Sequence, residues 1–310
     1  MKKYFIFIIF LFSIFISNIN AIDIELYNKV IEFDQEDGFS LQGFSSNEKY
    51  LFMILINDDE SKSMIKVYDI NNYNLVFSNT GSSLGHANDV TYNSKDNMFY
   101  VAISGGSEIV YRFNGDDFSY VDSIDIGLPI RSITYIDDLD KYAVRLITSG
   151  YILDNEFNKE LVPFVFGLNI APDVGRQGWT YYNNLIYYCN WSWLRMGGDG
   201  SNTIQIYDLK GNYIDKLHTN NTVGEIEGVS FSNNKMIYGF NEYEGKVAFY
   251  VEDIPDIEIP EIILDNLDNT IDNDDDDEIK NNIIYDYIWY IIGFIVGILS
   301  IYMIKIIRKR

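Results

Sequence analysis

Asn88-Asp89-Val90-Thr91-Tyr92 is one copy of a pattern that recurs along the chain: a polar residue, a small one, an apolar one, Ser or Thr, and usually an aromatic. The other copies are Gln42-Gly43-Phe44-Ser45-Ser46, Arg131-Ser132-Ile133-Thr134-Tyr135, Gln177-Gly178-Trp179-Thr180-Tyr181 and Glu227-Gly228-Val229-Ser230-Phe231. The steps between copies are 46, 43, 46 and 50 residues. A period of this size indicates a repeat architecture.

Each copy is followed by short β-rich segments separated by turn residues. The second segments are residues 50–56, 98–103, 142–147, 185–189 and 235–240. Third and fourth segments follow in most copies, and no long amphipathic helix interrupts them, which favours four-stranded propeller blades. The fifth copy ends after its third segment, 246–251. We expect residues 24–33 to supply its missing strand and so remove an open sheet edge.

Segments ending in Val-Tyr-Asp (67–69) and Ile-Tyr-Asp (206–208) are similar to third strands of many blades, and residues 24–252 resemble the β-propeller superfamily. The resemblance implies an all-β, five-bladed propeller. Residues 85–93 are similar to blade starts of secreted lactonase-like propellers, where Asn or Asp helps to bind calcium. Calcium is the one cofactor implied, and no other is predicted. The alternative fold is a pair of β-sandwich modules, each too long for a repeat of this size.

The two ends of the chain carry apolar segments. Residues 1–21, with Lys2 and Lys3 before an apolar run and Ala21 at its end, predict a cleavable signal peptide. An uncleaved N-terminal anchor is the alternative. Residues 285–304 predict a transmembrane helix, and the basic tail 305–310 suits the cytoplasmic side. A buried core helix is the alternative for this segment.

Residues 253–284 are acidic and contain Pro255 and Pro260, which favours an extended stalk. A calcium site in the stalk is an alternative, although its acidic run lacks the glycine-turned spacing of an EF-hand. We therefore expect an ectodomain over residues 22–252 and a single-pass type I protein. It would lie at the cell surface or in a secretory-pathway membrane, with the C-terminus in the cytoplasm.

Composition narrows the classes of partner. A formal net charge of -23 argues against nucleic acid and against an anionic membrane surface. Cys189 is the only cysteine, so the domain has no intrachain disulfide, and this thiol is expected to be a small buried hydrophobe. Stability must come from the core, for which 25 Tyr and 20 Phe supply bulk.

Blade starts meet around the axis of a propeller, so the polar residues of the repeat predict a ring. The predicted ligand-binding residues are Gln42, His86, Asn88, Asp89, Arg131, Arg176, Gln177, Trp191, Trp193, Glu225 and Glu227. Arg195 lies in the same loop as Trp193. Aromatic planes beside such polar groups suit an extracellular glycan, and a protein partner is equally compatible. Alternatively, the polar residues only bond neighbouring backbone. Trp179 is expected in the core.

Catalysis has weaker support. Glu225 or Glu227 could pair with Asp89 as in five-bladed glycosidases, which makes a membrane-tethered hydrolase of a glycoside or lactone the alternative function. The sequence has no zinc-ligand spacing of His or Cys. Two sequons, at Asn190 and Asn220, predict glycosylation if the host modifies exported proteins.

Overall fold

The computed structural model describes residues 21–82, 84–105, 107–146, 149–158, 164–165, 174–192, 201–219 and 224–257. The predicted transmembrane helix and basic tail lie outside these residues, as do the signal peptide up to residue 20 and the stalk beyond Ile257. Within the described ranges, no helix has the length and apolar character needed to cross a bilayer.

The described residues form five sheets, each of which is one blade. The first contains β3 Ser40–Ser46, β4 Tyr50–Ile56, β5 Lys62–Asp69 and β6 Leu75–Ser82. The second contains β7 Ala87–Asn93, β8 Met98–Ile103, β9 Ile109–Asn114 and β10 Tyr120–Asp125. The third contains β11 Ser132–Ile136, β12 Lys141–Arg145, β13 Ser149–Leu153 and β14 Phe164–Val165.

The fourth blade contains β15 Val174–Tyr182, β16 Leu185–Ser192, β17 Asn202–Asp208, β18 Tyr213–Thr219 and the additional strand β1 Ile22–Ile24. The fifth contains β19 Gly224–Ser232, β20 Lys235–Glu242, β21 Lys246–Asp253 and β2 Lys29–Asp34. A single 3₁₀ turn, Glu36–Gly38, precedes β3. The all-β, five-bladed prediction is confirmed.

The five blades close into a ring. The innermost strands contact one another in the cycle β3, β7, β11, β15, β19 and back to β3. Closure of the last blade by the N-terminal segment is also confirmed, because β2 pairs antiparallel with β21, with Ile31 opposite Phe249. The ends of the propeller are therefore joined by strand pairing.

The N-terminal segment differs from the prediction of one strand over residues 24–33. It forms two strands, and β1 pairs parallel with β18 of the fourth blade, with Ile22 opposite Leu217. Between the strands, the backbone N–H groups of Tyr27 and Asn28 donate to Glu252 Oε1 at 2.6 and 2.9 Å. The chain leaves the fourth blade at this point and crosses to the fifth, which divides the predicted strand.

Aromatic side chains fill the joints between blades. Representative pairs, by ring-centroid distance, are Phe52–Phe99 at 4.5 Å, Tyr100–Tyr142 at 5.2 Å, Tyr187–Phe231 at 4.8 Å and Phe44–Phe249 at 5.0 Å. Such pairs add about 0.5–1.5 kcal/mol each beyond the area that they bury. This packing takes the place of disulfides, and Cys189 is a buried free thiol, as predicted.

The Ser or Thr of the repeat links neighbouring blades. Thr91 Oγ1 accepts a hydrogen bond from the N–H of Tyr135 at 2.8 Å, and Thr134 Oγ1 accepts one from Tyr181 at 2.8 Å. Ser230 Oγ accepts from the N–H of Ser46 at 3.0 Å. In each case the donor is the last residue of the next copy of the pattern. A short hydroxyl side chain is required because it must reach the adjacent innermost strand.

Candidate functional site

The predicted ring residues lie at breaks in strand pairing. The register of β3, β7, β15 and β19 shifts around Gln42, Asn88, Gln177 and Glu227, so each lies in a β-bulge. Arg131 immediately precedes β11, and its N–H donates to the carbonyl of Arg145 at 2.7 Å. Bulges redirect side chains and are frequent beside functional sites. Four of the five blade starts therefore lie in equivalent bulges, and the third lies just before its strand.

Asp89 lies at the centre of the ring. Its Oδ1 accepts from the N–H of Val90 at 3.0 Å, and its Oδ2 accepts from Ile133 at 3.1 Å and Trp179 at 3.3 Å. A β carbon added at Gly178 would lie 2.7 Å from Asp89 Oδ1. One carboxyl group thus joins the innermost strands of three blades, which explains why the small position of the repeat is glycine in the fourth blade.

Burial controls the ionisation of Asp89. The side chain is 4% exposed, and this desolvation raises its pKa to about 8, against the opposing effects of its backbone donors and Arg145. The sequence predicts Asp89 as a ligand-binding residue and as one member of a catalytic pair. Its enclosure and its backbone bonds instead give it a structural role on the axis.

Glu227 is also enclosed. It is 3% exposed, and its Oε1 accepts from Asn241 Nδ2 at 2.6 Å. Asn241 in turn exchanges hydrogen bonds with the backbone of Leu41 at 2.8 and 2.9 Å, which joins the fifth blade to the first. Burial, and secondarily the charge of Glu225, raises the pKa of Glu227 well above its usual range. Burial therefore favours the protonated form of Glu227.

The mouth of the channel is continuous with these buried groups. Gln177 Nε2 donates to Glu225 Oε1 at 2.5 Å, and Asn88 Nδ2 donates to the carbonyl of Arg131 at 2.9 Å. We define the channel mouth as Asn88, Arg131, Arg145, Arg176, Gln177, Glu225 and Glu227. Five of the predicted ligand-binding residues other than Glu227 thus lie there, contributed by blades two to five.

Arg145, at the end of β12, is a mouth residue that the repeat does not identify. It is 1% exposed, and its NH2 nitrogen donates to Ser132 Oγ at 2.8 Å and to the carbonyl of Gln177 at 3.3 Å. Its guanidinium carbon lies 5.0 Å from the centroid of the Tyr188 ring. The sequence indicates Arg145 only as a single charged residue within the otherwise apolar segment 142–147.

The other predicted residues lie around the mouth or outside the described part of the chain. His86 Nδ1 lies 2.9 Å from Glu60 Oε1 of the first blade, and both side chains are exposed. Gln42 Nε2 donates to Ser40 Oγ within its own strand at 3.2 Å. Trp191 is half-buried near the end of β16. Three residues, Trp193, Arg195 and Asn220, lie outside the described residues.

Two further side chains of the fourth blade are buried. Trp179 is 1% exposed and belongs to the core, as predicted. Asn190 is 2% exposed, and its Nδ2 donates to the carbonyl of Tyr188 at 3.1 Å. The nitrogen that the predicted glycan would modify is therefore engaged in a backbone hydrogen bond in the folded domain. In the described ranges, no three His, Cys, Asp or Glu side chains are grouped to hold a metal ion.

Comparisons with known proteins do not assign the chain to a family. No protein-family model matches the sequence, and no curated protein matches it significantly. Similar solved structures include one described as the crystal structure of RRP9 WD40 repeats, with a TM-score of 0.45 and 8% sequence identity. The match covers 73% of this chain and 100% of that chain. The assignment to the β-propeller superfamily rests on the five sheets and their closure.

Proposed function

We propose that the chain is a surface-displayed, single-pass membrane protein whose propeller binds an extracellular glycan or protein at the channel mouth. The predicted signal peptide, stalk and transmembrane helix support the topology. The observation that carries the binding role is the convergence of donors and acceptors from four blades on one mouth, including Asn88, Arg131, Gln177 and Glu225. Binding sites combine such convergent polar groups with nearby aromatic surface.

Binding is better supported than hydrolysis. A glycosidase needs two carboxyl groups that both reach the scissile bond. Asp89 is enclosed by backbone donors, and Glu227 is buried and accepts a hydrogen bond from Asn241. Glu225 alone of the three is partly exposed, and it accepts from Gln177. The membrane-tethered hydrolase is therefore not the function that we propose.

A glycan array probed with the full-length protein in detergent tests the binding role. We expect binding that Arg131→Ala and Gln177→Ala each weaken at least about tenfold, equivalent to one lost charged or buried hydrogen bond. Arg112→Ala is the matched control, because Arg112 pairs with Asp122 at 2.6 Å in the outer half of the second blade. Full binding by both mouth variants, with native circular dichroism, would contradict a site at the mouth.

The proposed topology has a separate test in cells. An epitope inserted at the exposed loop residue Tyr243 should be labelled on intact cells, because the propeller is proposed to lie outside. An epitope after Arg310 should be labelled only after permeabilisation. Labelling of the C-terminal epitope on intact cells would exclude this orientation.

A further inference from the structure

Arginines are concentrated at the channel mouth. The chain has seven, and the described residues include four of them: Arg112, Arg131, Arg145 and Arg176. Of these four, Arg131, Arg145 and Arg176 belong to the channel mouth, and Arg112 does not. Arg131 donates its backbone N–H to Arg145, and Arg145 reaches the carbonyl of the residue that follows Arg176. A chain of net charge -23 thus gathers three guanidinium groups between its third and fourth blades.

Arg145 is buried and forms no ion pair with any of the described residues. Its partners are the neutral oxygens of Ser132, Leu146 and Gln177. Among the described residues, no carboxylate oxygen lies within the 4.0 Å of an ion pair with its guanidinium group. A buried ion without a counter-ion is unfavourable, so its presence needs an explanation beyond stability. Burial is the largest effect on the pKa of Arg145 and lowers it; Tyr188 and Asp89 act in the opposite direction, and the charges of Arg131 and Arg176 lower it further.

Asn190 adds a second, independent feature. It lies opposite Arg176 in the β15–β16 pair and is 2% exposed. Its Oδ1 is buried and accepts no hydrogen bond within the part of the chain that the structure describes. Buried acceptors are normally satisfied, so a ligand donor at this position would remove an unfavourable feature. Arginine forks bind carboxylates, and an amide oxygen accepts from a hydroxyl group.

We infer that the mouth between the third and fourth blades binds the carboxylate of an acidic sugar. Arg131 and Arg176 are half-buried and within reach of a ligand, and they would contact the carboxylate. Arg145 lies beneath them and is a positioning residue that contributes positive potential. A hydroxyl group of the same sugar would donate to Asn190 Oδ1. The inference rests on the proposed function and names the chemistry of its ligand.

Calorimetric titration of the full-length protein in detergent tests this inference. The probes are sodium glucuronate, methyl glucoside and sodium glutamate, which separate the carboxylate from the sugar. We expect glucuronate to bind at least about tenfold more tightly than either other probe. Arg131→Ala should weaken glucuronate binding by about tenfold or more, and Arg131→Lys by less, since a lysine keeps the charge but loses the fork. Arg112→Ala should leave it unchanged.

Several results would overturn the inference. These are the absence of glucuronate binding up to roughly 10 mM, equal binding of methyl glucoside, and an Arg131→Ala affinity equal to wild type. Equal binding of glutamate would exclude the sugar specificity. Failure of this inference can be distinguished from failure of the broader proposal. If neutral glycans bind and Gln177→Ala abolishes their binding while Arg131→Ala does not, the mouth is a binding site but does not recognise an anion.

Discussion

Replacement of Asp89 tests whether one buried carboxyl group holds the innermost strands together. Asp89→Ala removes the acceptor that its Oδ2 supplies to the N–H groups of Ile133 and Trp179, which belong to two other blades. A buried donor that loses its acceptor costs about 1–3 kcal/mol. We expect the loss of both hydrogen bonds to lower the free energy of unfolding by about 4 kcal/mol and the melting temperature by roughly 8–16 °C. Asp89→Asn keeps the shape and should cost about 1–2 kcal/mol.

The pH dependence gives a sharper result. The folded-state pKa of Asp89 is raised from 3.8 to about 8. The folded protein therefore keeps a proton that the unfolded chain has lost, and the contribution to stability is full below about pH 4 and is lost as the pH rises through about 8. Between these values the free energy of unfolding falls by about 1.4 kcal/mol per pH unit for this group. Asp89→Asn should remove this part of the slope.

Urea unfolding of wild type and both variants at several pH values between 5 and 9 measures these quantities. Asp122→Asn is the control, because Asp122 is exposed and paired with Arg112. It should leave the slope of stability against pH unchanged over this range. The reasoning is refuted if Asp89→Asn keeps the wild-type slope, or if Asp89→Ala melts within about 2 °C of wild type.

Three further predictions concern the closure and the axis. Gly178→Ala should destabilise the domain, because its β carbon would lie 2.7 Å from Asp89 Oδ1. In a double-mutant cycle, Gly178→Ala should cost less stability in the Asp89→Gly variant than in wild type, and equal costs would contradict the contact. Glu252→Ala removes the acceptor for the N–H groups of Tyr27 and Asn28, so we expect faster hydrogen exchange at these two amides. Unchanged protection would contradict the role of Glu252 in holding this segment. Calcium should change the melting temperature by less than about 1 °C, because both Asp89 oxygens already accept hydrogen bonds; a larger increase would indicate a site.

The sequence predicts the repeating part of the fold because the same local pattern builds every blade. It indicates the polar blade starts, but not that the adjacent small position lies against the axis. Simple alternation would place Gly43 on the opposite side of the strand from its neighbours, whereas the bulge at Gln42 alters the side-chain directions. The extra strand β1 could not be predicted either, because a segment of three residues is too short to show a hydrophobic pattern that would indicate its parallel pairing with β18.

Arg145 is a site residue that the sequence does not predict, for a different reason. The feature that makes it informative is that no carboxylate within the described ranges forms an ion pair with it, and its surroundings are assembled from β11, β12 and β15. Its contact with Gln177 joins residues 32 positions apart. The repeat period locates the strands but carries no information about which charge lacks a counter-ion between them.

The buried groups at the mouth connect stability with ligand recognition. Burial raises the pKa of Asp89 to about 8 and that of Glu227 well above its usual range, whereas a guanidinium group such as Arg145 keeps its charge. Burial is also the main cause that raises the pKa of the Cys189 thiol well above its usual range. Arg131, Arg145 and Arg176 give the mouth three guanidinium groups, and Glu225 is its partly exposed carboxylate. Ionisation of Asp89 as the pH rises through about 8 would partly neutralise Arg145, so affinity for an acidic sugar should fall there, at the upper end of the range over which Asp89 makes stability depend on pH.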